Sequence, residues 1–259
     1  WVPCEGKDLR VLGFECATLQ RPLDRHYPGG LQIQLAVFRR PATGTPEQRI
    51  GTLFFNPGGP GQPGHSSAPS KVFFLPSSLQ QAFDFVTWDP RGLGRSTPTL
   101  TDCAVGYPRR RLTGSVDWEQ VLGERQAELN QANADCIRRH PELIRGMGTV
   151  ETVHDLEALR LALAEPSLNY WGISYGTVIG SSYAALFPDK VRTLVLDGSV
   201  SPWTNLLGLS ASATAQDDAI RFFLQTHPQY RAPFERLLQS LGQQPLQLSD
   251  GALYTRWDL

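Results

Sequence analysis

The stretch from Asn169 to Gly198 limits this 259-residue chain more than any other part of it. NYWGIS (169–174) reads as a strand, GTVIGSSYAALF (176–187) as a helix, and VRTLVLDG (191–198) as another strand. A strand, a helix and a strand in direct succession predict parallel pairing with the helix packed over the sheet.

The segments upstream extend the pattern. RIGTLFFNPGG (49–59) and FDFVTWDPRG (83–92) are continuous apolar runs that stop abruptly at Gly and Pro, as buried strands running into loops do. LQIQLAVF (31–38) alternates apolar and polar residues and reads as a half-buried strand. Residues 117–139 are polar and rich in helix formers, which predicts a surface helix. Thr149 is placed as the cap of a further helix, with Val153, Leu156, Leu159 and Leu163 along one face until Pro166 stops it. The whole predicts an α/β fold: a mostly parallel sheet covered by helices on both faces. Beyond Pro202 the character changes, because AIRFFLQTH (219–227) and PFERLLQSLG (233–242) are helical and no strand of similar quality follows. Residues 1–202 are therefore read as the core and 203–259 as the beginning of a helical cap.

Composition serves mainly to exclude. A net charge of −1 gives no electrostatic footprint for nucleic acid or an anionic membrane. No apolar run is long enough to cross a bilayer. Hydrophobic residues at 41% and charged residues at 19% are ordinary for a globular protein, so a packed core is affordable. The chain begins with Trp1, and the expectation is that something preceded it, a cleaved signal peptide being one explanation. Cys4, Cys16, Cys103 and Cys136 match neither a zinc pattern nor a Cys-x-x-Cys pair. They read as two local disulfides, Cys4–Cys16 and Cys103–Cys136; the alternative is four buried thiols in a cytosolic protein.

Three motifs carry chemistry. Gly172-Ile173-Ser174-Tyr175-Gly176 fits G-x-S-x-G, in which a serine occupies a strained turn between strand and helix. The required strand precedes it, the required helix follows, and Gly180, Ser181 and Ser182 let that helix pack closely. Asn56-Pro57-Gly58-Gly59-Pro60-Gly61 leaves a buried strand as a glycine loop whose N–H groups can face a developing oxyanion. The second donor in such a site is the N–H just after the nucleophile, that of Tyr175. Asp89-Pro90-Arg91-Gly92-Leu93-Gly94-Arg95-Ser96 is read as mainly structural, pinning loops through charge-assisted hydrogen bonds. It lacks the Gly-Lys-Ser/Thr ending of a phosphate loop.

NPGGPG, FDFVTWDPRGLGRS, DLEALR, YWGISYGT and FPDKVRTLVLDG together resemble the secreted bacterial tripeptidyl-aminopeptidase group of α/β-hydrolases, relatives of the prolyl aminopeptidases. The likeness runs from the N-terminal cysteines to about residue 202. It implies an extracytoplasmic serine hydrolase that removes short units from peptide N-termini through an acyl-enzyme. It also implies Ser174 as nucleophile, with Gly58 or Gly59 and Tyr175 as oxyanion donors. The family's paired cysteines sit much as Cys4/Cys16 and Cys103/Cys136 do.

The triad order in this fold is serine, acid, histidine. His227 is the one histidine after Ser174, but it follows a helical stretch rather than a strand end and is set aside as the base. His154 falls on the helix before the elbow, His140 after a helix, His65 near the glycine loop as a surface or substrate-lining residue, and His26 in a turn. Asp197 ends a strand where some hydrolases carry the acid, yet the resembled family takes both acid and histidine from later strands. The sequence ends at Tyr254-Thr255-Arg256-Trp257-Asp258-Leu259, inside the presumed cap and before those strands. The favoured expectation is one part of a cleaved hydrolase, its partner a C-terminal fragment of the same precursor supplying acid and histidine. A truncated chain and a non-catalytic descendant are the alternatives.

The expected substrate is a peptide, with Asp217, Asp218 and Glu235 available in the cap for its α-ammonium group. No cofactor or metal is expected, for lack of a cluster with ligand spacing. An esterase, a thioesterase or a tailoring hydrolase for a peptide-like natural product could use the same elbow. A binding protein on a hydrolase scaffold is the reading from another class.

Overall fold

A computed structural model describes residues 1–103, 117–201, 215, 218–244, 246–247 and 253–254. The chain divides into two compact units, the first formed by Trp1–Ala104 with Asp135–Pro202 and the second by Val105–Ala134 with Trp203–Leu259.

The first unit is built on a seven-stranded sheet in the order β1-β2-β3-β5-β4-β6-β7. Its strands are β1 (Val2–Pro3), β2 (Glu15–Pro22), β3 (Gln32–Arg40), β4 (Gly51–Asn56), β5 (Phe83–Trp88), β6 (Leu168–Ile173) and β7 (Val191–Asp197). The first three pair antiparallel, and β3 joins β5 antiparallel as well. From there β5, β4, β6 and β7 are mutually parallel, so their C-terminal ends lie along one rim. Every apolar run expected to be a strand is one. Strand β2 was not foreseen: Glu15, Gln20, Arg21 and Pro22 interrupt its pattern, and it sits near the sheet's margin, where only part of it is covered.

Alternation along the central strands builds two cores, one on each face. Leu53 and Phe55 of β4 and Phe85 of β5 join Cys4, Leu9, Phe14, Ala68 and Val72 on the face covered by helices α1 (Lys7–Val11) and α2 (Gly64–Phe74). Phe54, Val86 and Trp88 point the other way, onto Val153, Leu156 and Leu159 of α6 (Thr149–Ala162) and Ile179 and Tyr183 of α7 (Tyr175–Leu186). Short helices α3 (Ser77–Ala82) and α5 (Pro141–Arg145) and the long α4 (Trp118–Arg139) complete the numbered helices. Thr149 does not cap α6: Gly148 is the capping residue, because its φ of 143° is one that glycine tolerates. Two disulfides tie loops to this frame, Cys4–Cys16 and Cys103–Cys136, as expected.

In the second unit, residues 218–226 are helical, a second helix spans Arg231–Gln243, and the pair Leu246–Gln247 and Leu253–Tyr254 runs antiparallel. Phe223 stacks on His227 at 4.5 Å between ring centres and on Tyr230 at 5.8 Å. Asp218 forms an ion pair with Arg221 on the helix surface and Glu235 is exposed, whereas Asp217 lies outside the described residues. Thr255–Leu259 lie outside them too, as do the residues at the 202/203 boundary.

Candidate active site

Chain order and sheet order part company between β4 and β6, since β5 follows β4 on one side and β6 pairs with it on the other. Such a switch point opens a crevice at the C-terminal ends of the strands. Asn56 pairs with Gly172 across that boundary, so the loop leaving β4 and the turn leaving β6 emerge side by side.

One residue makes the turn. Strand β6 ends at Ile173 and α7 begins at Tyr175, leaving Ser174 at φ 53° and ψ −121°. A non-glycine residue in the left-handed region costs about 1–3 kcal/mol and persists only where its surroundings over-determine it. Here the Ser174 N–H donates to the Asp197 carbonyl at 2.9 Å, and its carbonyl accepts from the Thr177 N–H at 2.8 Å and the Thr177 hydroxyl at 2.6 Å. The flanking glycines make room for this path. A Cβ on Gly172 would lie 2.4 Å from the Gly176 carbonyl oxygen, and one on Gly176 would lie 2.7 Å from that of Asn56. The Tyr170 hydroxyl donates to the Gly176 carbonyl at 2.8 Å and locks the crossing from below. Ser174 itself is exposed, and its Oγ has no hydrogen-bond partner among the described residues.

The glycine loop lies flush against this turn. Gly58 has a φ of 95°, and a Cβ there would stand 2.4 Å from the Ile173 carbonyl oxygen, 3.0 Å from the Tyr175 nitrogen and 3.2 Å from Ser174 Cβ. The buried Asn56 side chain accepts the Gly58 N–H at 2.9 Å. That N–H is thereby committed. Tyr175 is the first residue of α7, where N–H groups lack intrahelical acceptors and the helix dipole is positive. Its hydroxyl meets that of Thr149 at 2.6 Å, the part Thr149 plays in place of capping.

The third motif is an internal frame. Asp89 is fully buried and accepts from the His65 N–H at 3.0 Å and the Arg95 N–H at 2.8 Å, while the His65 ring meets its carboxylate at 2.7 Å. Arg91, also buried, grips Asp155 with two bonds of 2.8 and 2.7 Å and spends its remaining nitrogen on the carbonyls of Leu23 and Gly146. Burial pushes the Asp155 carboxyl upward, and the Arg91 contacts oppose that. His65 thus serves the frame rather than the surface: it ties the start of α2 to the end of β5.

The other histidines are occupied elsewhere. His140 bonds Asp102 at 3.0 Å, His154 packs edge-on against Phe187 with burial holding its pKa below the ordinary value, and His227 bonds Thr226 and stacks in the second unit. His26 lies in the turn after β2, its N–H on Asp24. Among the described residues no histidine bonds Ser174. The exposed Asp197 contributes its backbone carbonyl to the elbow. Asp102, Cys103 and His140 cluster at ligand distance, but the Cys103 sulfur is already in a disulfide.

The class follows from the register, because a glycine loop set against a strained G-x-S-x-G turn on the next parallel strand is the α/β-hydrolase arrangement. A family model described as the alpha/beta hydrolase fold matches residues 51–248, and the chain belongs to that family. It is similar to the serine protease Hip1 of Mycobacterium tuberculosis, 37% identical over 78% of this chain and 39% of the relative. It is also similar to the tripeptidyl aminopeptidase of Streptomyces coelicolor, 38% identical over 78% of this chain and 38% of that one. Carboxylesterase B of Mycobacterium tuberculosis is 37% identical over 77% of this chain and 39% of its own. The chain spans about two-fifths of the length of these curated relatives.

Proposed function

We propose that this protein is a serine hydrolase in which Ser174 attacks a carbonyl to form an acyl-enzyme. The observation that carries the reading is the left-handed Ser174 at the end of β6, held in strain while its hydroxyl is left open. The N–H groups of Gly59 and Tyr175 receive the developing oxyanion, the Gly58 N–H being taken by Asn56. Gly58 contributes by lacking a side chain, so that the loop can approach the elbow. A general base must take the serine proton, and an acid must orient that base. Both come from outside the described residues, in keeping with relatives more than twice as long.

The substrate is a peptide, cut near its N-terminus, by likeness to the tripeptidyl aminopeptidase and to Hip1. Two disulfides favour an extracytoplasmic setting, and no helix among the described residues is long and apolar enough to cross a membrane. The likeness to carboxylesterase B supports a second reading, ester hydrolysis at the same serine. Release of amine from a tripeptidyl anilide, measured beside release of alcohol from a simple ester, separates the two. Anilide turnover that Ser174→Ala abolishes supports the peptidase. Turnover of esters alone would replace it by the esterase.

A further inference from the structure

A cavity of about 390 Å³ opens beside the elbow, within the first unit. This is inside the range of about 300–1,000 Å³ in which small-molecule sites fall. Gly58 and Tyr175 form its inner edge, and Met147, Leu93 and Ile179 supply its apolar wall.

Several of the side-chain polar groups that reach this cavity are spoken for. The Asn56 side-chain oxygen accepts the Gly58 N–H, the Thr152 hydroxyl donates to the Gly148 carbonyl at 2.9 Å, and the Tyr175 hydroxyl pairs with Thr149. Arg91 is the one charged side chain among the described residues of the lining, and all its nitrogens are engaged by Asp155 and two carbonyls. A carboxylate or ammonium entering here would lose its hydration and gain no charged partner from these side chains, which is unfavourable. An apolar side chain would exchange water for Met147, Leu93 and Ile179.

We infer that this cavity takes the side chain of the residue whose carbonyl Ser174 attacks, and that it selects an uncharged, apolar one. Met147 is the specificity-determining residue. It is the only methionine in the chain, its sulfur packs where a side chain on Gly92 would otherwise be, and its flexible thioether adapts to occupants of different shape. The inference rests on Ser174 being the nucleophile, and its test keeps the two claims apart.

The test is the acylation burst of the purified protein with three p-nitrophenyl esters of matched length: hexanoate, the adipate half-ester and 6-aminohexanoate. The expected result is a burst with hexanoate at least about 100-fold faster than with either charged ester, absent in Ser174→Ala. In Met147→Lys the adipate half-ester should gain at least about 10-fold on hexanoate, while Met147→Leu keeps the wild-type order. Bursts within about threefold of one another in the wild-type protein overturn the selectivity but leave the nucleophile standing. A Met147→Lys variant with unchanged ratios overturns the role of Met147. No burst with any ester, or one that survives Ser174→Ala, overturns the nucleophile and this inference with it.

Discussion

Ser174 and Arg91 stand at the same rim of the sheet and are handled in opposite ways. Arg91 is buried with every nitrogen satisfied, in a backbone of ordinary geometry. Ser174 is exposed, in a backbone few residues tolerate, with a hydroxyl unengaged among the described residues. The contrast teaches how reactivity is kept at a fixed point. Strain at one residue is stable only if the loops around it cannot move, and the Asp89 and Arg91 networks immobilise those loops. They do so at the cost of burying charges, which returns nothing unless the pairing is complete.

Breaking the frame should have the largest effect. Arg91→Ala leaves Asp155 buried without its partner and should cost about 3–5 kcal/mol in a denaturant titration. A loss under about 1 kcal/mol would show that the network is decoration. Next comes the contact between loop and elbow. Gly58→Ala forces a Cβ to within 2.4 Å of the Ile173 carbonyl at a left-handed φ. It should cost about 1–3 kcal/mol and remove most covalent labelling of the serine; full labelling would mean that the loop has no part in the oxyanion hole. The elbow should respond in the opposite sense. Ser174→Gly removes the nucleophile but relieves the left-handed strain, so thermal unfolding should show a gain of about 1 kcal/mol. A destabilised variant would contradict the claim of stored strain.

The smallest effect lies away from both loops and serves as a control. The hydrogen bond from His140, opposed by desolvation and aided by the charge of Arg139, holds the exposed Asp102 carboxyl below its ordinary value. A depressed folded-state pKa gives stability that is complete above the unfolded value of about 3.9 and fades as pH falls through the folded one. Asp102→Asn should therefore flatten the stability profile below about pH 4 and leave labelling of the serine untouched.

Much of this was legible in the sequence. Continuous apolar runs ending in Gly and Pro gave β4, β5 and β6, because strands buried on both faces need no alternation. The elbow was legible because its serine, glycines, strand and helix are adjacent in sequence. Features that depend on one side chain reaching another segment were not. Nothing in NPGGPG says that the Asn56 side chain will take the Gly58 N–H. Likewise, nothing near Thr149 says that its hydroxyl will meet Tyr175, 26 residues later, instead of capping a helix. His65 reads from sequence as a surface or substrate-lining residue, since its partner Asp89 is 24 positions away and buried.

The central claim is that Ser174 is a nucleophile, and the most direct test is labelling of the purified protein with a fluorophosphonate, followed by peptide mass mapping of the adduct. The account predicts one phosphonyl group, carried on Ser174 and absent from a folded Ser174→Ala variant. An unlabelled folded protein, or an adduct on another residue, would contradict it.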